Sequence, residues 1–164
     1  MHVGVAGLGN MGAAIAERLI ETGNRVTVWN RSAERCKSFA AAGAGVAASA
    51  AALAAAVDAV ITIITDAAAI EAVYGGPTGL LAGDIDGKLF VEMSTVPPHV
   101  ETALAAKVRA KGAAFVECPV GGTTGPARQG KLIGLMGAEP ADAARAKPLL
   151  DRLCRRLDLS LIHI

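Results

Sequence analysis

Aromatic residues make up only 3% of this 164-residue sequence and charged residues only 19%, and there are just three cysteines, one tryptophan and one tyrosine. Each scarcity excludes something. Sixteen Lys and Arg against fifteen Asp and Glu leave a net charge of +1, which removes the electrostatic argument for a nucleic-acid or membrane-surface partner. Cys36, Cys118 and Cys154 form no short-spaced pair and no ligand cluster with the three histidines, so neither a disulfide framework nor a metal site is expected. An odd, scattered set of thiols fits a reducing compartment, and the expected location is cytoplasmic. No basic stretch precedes the apolar residues at the start, so no signal peptide is expected. The most hydrophobic window, residues 46–64, contains Asp58 and much alanine, and reads as a buried helix followed by a buried strand rather than a membrane span.

Apolar side chains and glycine are abundant, at 52% hydrophobic residues and 19 Gly. That composition excludes disorder, and the length is that of one domain by the prior of about 100–200 residues each. Strand and helix patterns alternate from the first residues. Strands are predicted at His2–Ala6, Arg25–Trp29, 45–48, 59–64, 89–93, 114–118 and Leu132–Met136. Helices are predicted at 11–21, 33–42 with Ser32 as cap, Ala50–Ala56, Ala67–Tyr74, 97–111 and 140–156. The run from Ala59 to Ile64 is apolar throughout, as in the middle of a parallel sheet. Alternating βα units of this length imply an α/β fold with a doubly wound, mostly parallel sheet.

Gly7-Leu8-Gly9-Asn10-Met11-Gly12 is G-x-G-x-x-G, set between the first strand and the first helix. In the Rossmann-type fold the first glycine allows a tight turn, the second lets a pyrophosphate approach the backbone, and the third lets helix and strand pack closely. The helix N-terminus then presents free N–H groups and a positive dipole end to that pyrophosphate. Where an acidic residue would hold the ribose hydroxyls of NAD, about 20 residues further on, this chain has Asn30-Arg31-Ser32. No carboxylate is there, whereas an arginine can pair with a 2′-phosphate through its planar fork. The expected cofactor is NADP, with a solvated surface arginine as the alternative reading of Arg31.

Four further segments stand in order: Trp29-Asn30-Arg31-Ser32, Ile64-Thr65-Asp66, Glu92-Met93-Ser94-Thr95-Val96-Pro97 and Glu117-Cys118-Pro119-Val120-Gly121-Gly122-Thr123. With the glycine turn they resemble the β-hydroxyacid dehydrogenases, the 3-hydroxyisobutyrate dehydrogenase-like family, over about residues 1–157. The resemblance implies that Gly7, Leu8, Gly9, Asn10, Met11 and Gly12 contact the dinucleotide. It places Asn30, Arg31 and Ser32 on the adenosine side, Ile64, Thr65 and Asp66 along the cofactor, and Thr95 near the nicotinamide ribose. Ser94 and the loop Gly121-Gly122-Thr123 would hold the carboxylate of a small hydroxy acid or semialdehyde. Candidates are 3-hydroxyisobutyrate, tartronate semialdehyde, glyoxylate and succinic semialdehyde. Read without the family, Ser94 and Thr95 are equally a helix cap before Pro97, and Gly121-Gly122 a plain loop.

The chain departs from the family in two ways. Gly121-Gly122-Thr123 stands where the family has Ser-Gly-Gly, so a side-chain hydroxyl is missing from the loop. The family's catalytic lysine, on a G-x-G-x-x-x-K-x-x-x-N helix, has no counterpart, and neither does its helical second domain. No catalytic residue is therefore expected in this sequence, and the fragment is expected to be inactive. A non-catalytic NADP-binding module is the alternative. The family resemblance implies a homo-oligomer for the complete protein. The final residues, 159–164, read like a translated sequencing adapter, so the expected native domain is 1–158.

Competing chemistries find no support. No G-K-[ST] follows a glycine loop, and no nucleophile elbow pairs with a histidine. A methyltransferase would not predict Asn30-Arg31 or the Gly121–Thr123 loop. His99 reads as an exposed first-turn residue, and Cys118 as buried and inert.

Overall fold

A computed structural model describes residues 1–159. Nine strands and seven α-helices occupy the described residues. The main sheet holds six parallel strands: β1 (His2–Ala6), β2 (Arg25–Trp29), β3 (Gly45–Val46), β4 (Ala59–Thr62), β5 (Leu89–Glu92) and β6 (Ala114–Glu117). Their spatial order, β3-β2-β1-β4-β5-β6, makes β1 and β4 neighbours across the point where the winding reverses. In such sheets the crevice beyond the carboxyl ends of the strands, at that reversal, is where ligands bind.

Helices cover both faces of this sheet. On one face α1 (Asn10–Glu21) and α7 (Pro140–Leu150) bring Ile15, Leu19 and Leu149 onto Val3, Val5, Ile61 and Val91. On the other, α3 (Ala50–Ala56), α4 (Ala67–Tyr74) and α5 (Pro98–Arg109) bring Leu53, Ile70 and Leu104 onto Val60 and Phe90. Alternate residues of each central strand thus serve opposite cores, which is why β4 reads as an unbroken apolar run. Alanine on the helices keeps them close to the sheet. α3 starts where Ser49 Oγ accepts from the Ala52 N–H at 3.0 Å, and α4 where Asp66 accepts from the Ala69 N–H at 2.8 Å.

Several expectations need correction. The predicted helix 33–42 is a 3-10 turn, Ala33–Cys36, followed by a short α2 (Lys37–Ala41), and Ser32 makes no side-chain cap bond. The predicted helix 140–156 stops at Leu150, with Pro148 inside its last turn. Residues Cys154–Leu159 instead form a strand, β9, parallel to β8 (Leu132–Met136). With β7 (Val120–Gly121), antiparallel to β8, they build a small second sheet in the order β7-β8-β9. Gly121, expected in a loop, is therefore a strand residue. A short α6 (Thr124–Arg128), absent from the prediction, follows it and packs on α1, where Arg128 pairs with Glu17 at 2.5 Å. Leu159, the first residue of the expected foreign tail, pairs with Met136, and residues 160–164 lie outside those described.

A candidate nucleotide cleft

The turn between β1 and α1 is built from backbone. Gly7 has φ +98°, a conformation that side chains rarely adopt, and a Cβ there would lie 2.5 Å from the Ile63 carbonyl oxygen. A Cβ on Gly12 would come within 1.8 Å of the Gly7 carbonyl oxygen. Gly9, between them, faces open space, with nothing within 4 Å of a Cβ built on it. No side chain caps α1, and its first turn holds no acidic residue. The N–H groups that start a helix have no intrahelical partner, so this terminus offers free donors and a positive dipole end.

Two side chains brace the turn from β2 and the segment after it. Asn30 Oδ1 accepts the Leu8 N–H at 2.8 Å, and its Nδ2 donates to the Ser32 carbonyl at 3.0 Å. Asn30 thereby holds the turn with both ends of its amide. Leu8 is buried and reaches the turn's surface only by backbone. Arg35, which sequence reasoning missed, donates Nη1 to the Leu8 carbonyl at 3.1 Å. Its signal, a cation one turn after Arg31, was visible but carried no motif. Arg31 is exposed and bonds to no described residue, and Ser32 is exposed beside it.

A cleft of about 360 Å³ opens over this turn. Gly9, Asn10, Met11 and Gly12 form one wall. Ile64 and Thr65 from the end of β4, with Ser94 and Thr95 from the end of β5, form the other, and Gly122 closes the side. The structure adds Ile63, Met93 and Val120, apolar positions that carry no motif signal. Of the other residues singled out in the sequence, Gly7, Leu8, Asn30, Arg31, Ser32, Asp66, Gly121 and Thr123 do not line the cleft. Asp66 caps α4, and Thr123 is the exposed residue before α6. Ser94 is not a helix cap: α5 begins after Pro97, and Ser94 Oγ accepts the Ile64 N–H at 2.8 Å. The Ser94 hydroxyl proton remains to donate, and the Glu92 carboxyl is one acceptor within its reach. The lining is mainly small and apolar, with no Lys, His, Asp, Glu or Cys in it.

The sulfur near this site is quiet. Cys118 is fully buried beside Cys154 and Glu117, and burial pushes its thiol up to about 12. No group of three His, Cys, Asp or Glu among the described residues is arranged to hold a metal. No helix among them is long and apolar enough to cross a membrane.

A glycine turn with open space at its second glycine, at the switch point of a parallel sheet, fits a dinucleotide. Residues 2–161 match the family described as the NAD binding domain of 6-phosphogluconate dehydrogenase. The chain belongs to this family, as a nucleotide-binding domain of the β-hydroxyacid dehydrogenase kind. It is 36% identical to the mitochondrial 3-hydroxyisobutyrate dehydrogenase of Mus musculus over 149 residues, which is 91% of this chain and 44% of that protein. It is 37% identical over 132 residues to the cytokine-like nuclear factor N-PAC of Danio rerio, covering 80% of this chain and 29% of that one. The fold matches the solved structure of Psf3 in complex with NADP+ and 2-OPP with a TM-score of 0.91 at 31% identity, over 96% of this chain and 56% of Psf3. The chain thus spans less than half the length of the curated relatives it matches.

Proposed function

We propose that this chain binds NADP in the cleft between the Gly7–Gly12 turn and Ser94-Thr95. On this reading it is the cofactor half of an oxidoreductase acting on a small β-hydroxy acid or semialdehyde. The observation that carries the reading is the cleft itself, which joins a backbone anion cradle to a second wall bearing three hydroxyls. The N–H groups of Asn10, Met11 and Gly12 would hold the pyrophosphate. Thr65 and Thr95 would flank the ribose, while Ser94 and the backbone of Gly122 would meet the substrate carboxylate. The bound nucleotide would supply hydride transfer, which this chain's side chains cannot perform.

NADP is favoured over NAD by the end of β2. Asn30 is already committed to the turn on both sides, no carboxylate stands there, and Arg31 and Arg35 bring two guanidinium groups to that corner. Titration with NADPH and NADH, followed through the single tryptophan Trp29 at the same strand end, tests the reading. Arg31→Ala should weaken NADPH by about tenfold or more while sparing NADH, since a charged hydrogen bond to phosphate is lost. An equal loss for both overturns the phosphate role.

The cleft lining carries no general acid or base, so we place that group outside the described residues, together with the subunit contacts of a homo-oligomer. The same observation favours a second reading, a nucleotide-binding module without turnover. Turnover of any hydroxy acid by this chain alone would overturn that second reading. The free thiols accord with a cytoplasmic location.

A further inference from the structure

Behind the β4–β5 wall lies a buried polar set that nucleotide binding does not itself require. Thr62 and Glu92 end β4 and β5 as register partners, both fully buried. Tyr74, the single tyrosine, reaches them from α4. Glu92 Oε2, Thr62 Oγ1 and Tyr74 Oη are mutual neighbours. Thr62 bonds to Glu92, Tyr74 lies 3.2 Å from the same carboxyl oxygen, and the two hydroxyls are 2.8 Å apart. The other oxygen, Oε1, accepts the Ser94 N–H at 2.8 Å, and Ser94 Oγ accepts the Ile64 N–H at 2.8 Å. An unbroken line of hydrogen bonds runs from a buried acid to two residues of the cleft wall.

A triangle of three O–H···O bonds needs three protons. Thr62 and Tyr74 bring two. If Glu92 were ionised, one edge would be two oxygens facing each other without a proton between them. A neutral Glu92 supplies the third and closes the ring in either sense.

The surroundings favour the neutral form. Glu101 on α5 and Glu117, the register partner of Glu92 on β6, face the same region. Both carboxyl oxygens of Glu101 are buried without a partner. Of the cations on these elements, Lys107 sits 3.9 Å from Glu71 on exposed side chains, and Arg109 donates to the Phe115 carbonyl. On the far face α7 brings Asp142, which accepts from the Phe115 N–H. No cation bonds Glu92 among the described residues. Burial raises the Glu92 carboxyl against the pull of its hydrogen-bond donors.

We infer that Glu92 is held as a neutral carboxylic acid whose proton closes the ring with Thr62 and Tyr74, and that through Ser94 it is the positioning residue for the β4–β5 wall of the cleft. The positioning part rests on the nucleotide-binding reading above; the protonation part does not.

Infrared difference spectra of the free 164-residue chain, wild type minus Glu92→Gln at pH 7, test the protonation. The expected difference is the carbonyl stretch of a protonated carboxylic acid. A carboxylate band in its place overturns the inference. Tyrosine Raman bands should report Tyr74 as both donor and acceptor, and a pure donor pattern counts against the ring. Amide exchange at Ile64 tests positioning without nucleotide. Glu92→Leu should speed it by about tenfold, and Glu92→Gln, which keeps a carbonyl for Ser94 and donors for the ring, should restore protection. Tyr74→Phe opens the ring gently and should speed exchange about fivefold, which decides the matter if the Leu variant does not fold. Unchanged exchange in these variants overturns the positioning role. NADPH affinity should follow the same order, lost about tenfold in Glu92→Leu and rescued in Glu92→Gln. If the wild type binds neither NADPH nor NADH, the proposed function fails, and the spectra and exchange rates still decide the inference.

Discussion

The two walls of the cleft are made in different ways. The glycine wall is backbone held by local geometry: a positive φ at Gly7, a contact at Gly12 too close for any side chain, and open space at Gly9. The opposite wall is side chain held from behind, where Ser94 takes its place from Glu92, Thr62 and Tyr74, residues distributed over β4, α4 and β5. A backbone wall tolerates no added atom at its close contact. A side-chain wall tolerates substitution that keeps its hydrogen bonds, but responds to protons.

That contrast is sharpest at Gly12. Gly12→Ala forces a methyl to within 1.8 Å of the Gly7 carbonyl oxygen, so helix and strand must separate. We expect a loss of roughly 3 kcal/mol or more in denaturant melts, together with loss of nucleotide binding. A variant that melts like the wild type would mean that the turn relaxes as easily as the other wall.

The side-chain wall should show itself in pH dependence. Glu101 is buried without a partner, and burial, the largest cause, pushes its carboxyl up to about 8. The folded state holds this proton more tightly than the unfolded chain. Its contribution is therefore fully present below about pH 4.5 and is lost as pH rises through about 8. Glu101→Gln cannot ionise, so between pH 5 and pH 9 it should gain up to about 4 kcal/mol relative to the wild type. Parallel stability profiles for the two proteins would show that Glu101 finds solvent or a partner.

The smallest effect on folding should come from Gly9→Ala. Its φ of −65° suits any residue, and a Cβ there meets nothing within 4 Å. Melting should be unchanged while NADPH binding weakens by about tenfold, because the methyl occupies the space through which a pyrophosphate would approach. Unchanged binding would move the phosphate away from this turn.

Legibility follows the same division. The glycine turn, the apolar strands and the order of βα units were readable because each depends on residues close together in the chain. Nine of the residues singled out as binding candidates do line the cleft, among them Gly9, Gly12, Ser94 and Gly122. Asn30 and Asp66, expected along the cofactor, also have local structural work: their side chains hold the turn and cap α4, since a short polar side chain bonds the nearest free N–H. Leu149, Leu150 and Leu153 continue a helical spacing past the end of α7. Only pairing with β8 makes Cys154–Leu159 a strand.

By itself the sequence determined the class of fold, the place of the glycine turn and the absence of a carboxylate after β2, because local backbone geometry and hydrophobic period are properties of neighbours in the chain. Tertiary structure alone decided that Glu92, Thr62 and Tyr74 meet, that Glu101 is left without a partner, and that Cys154–Leu159 joins a second sheet. Those outcomes depend on which distant groups are brought together away from water, where a missing partner or an extra charge counts most.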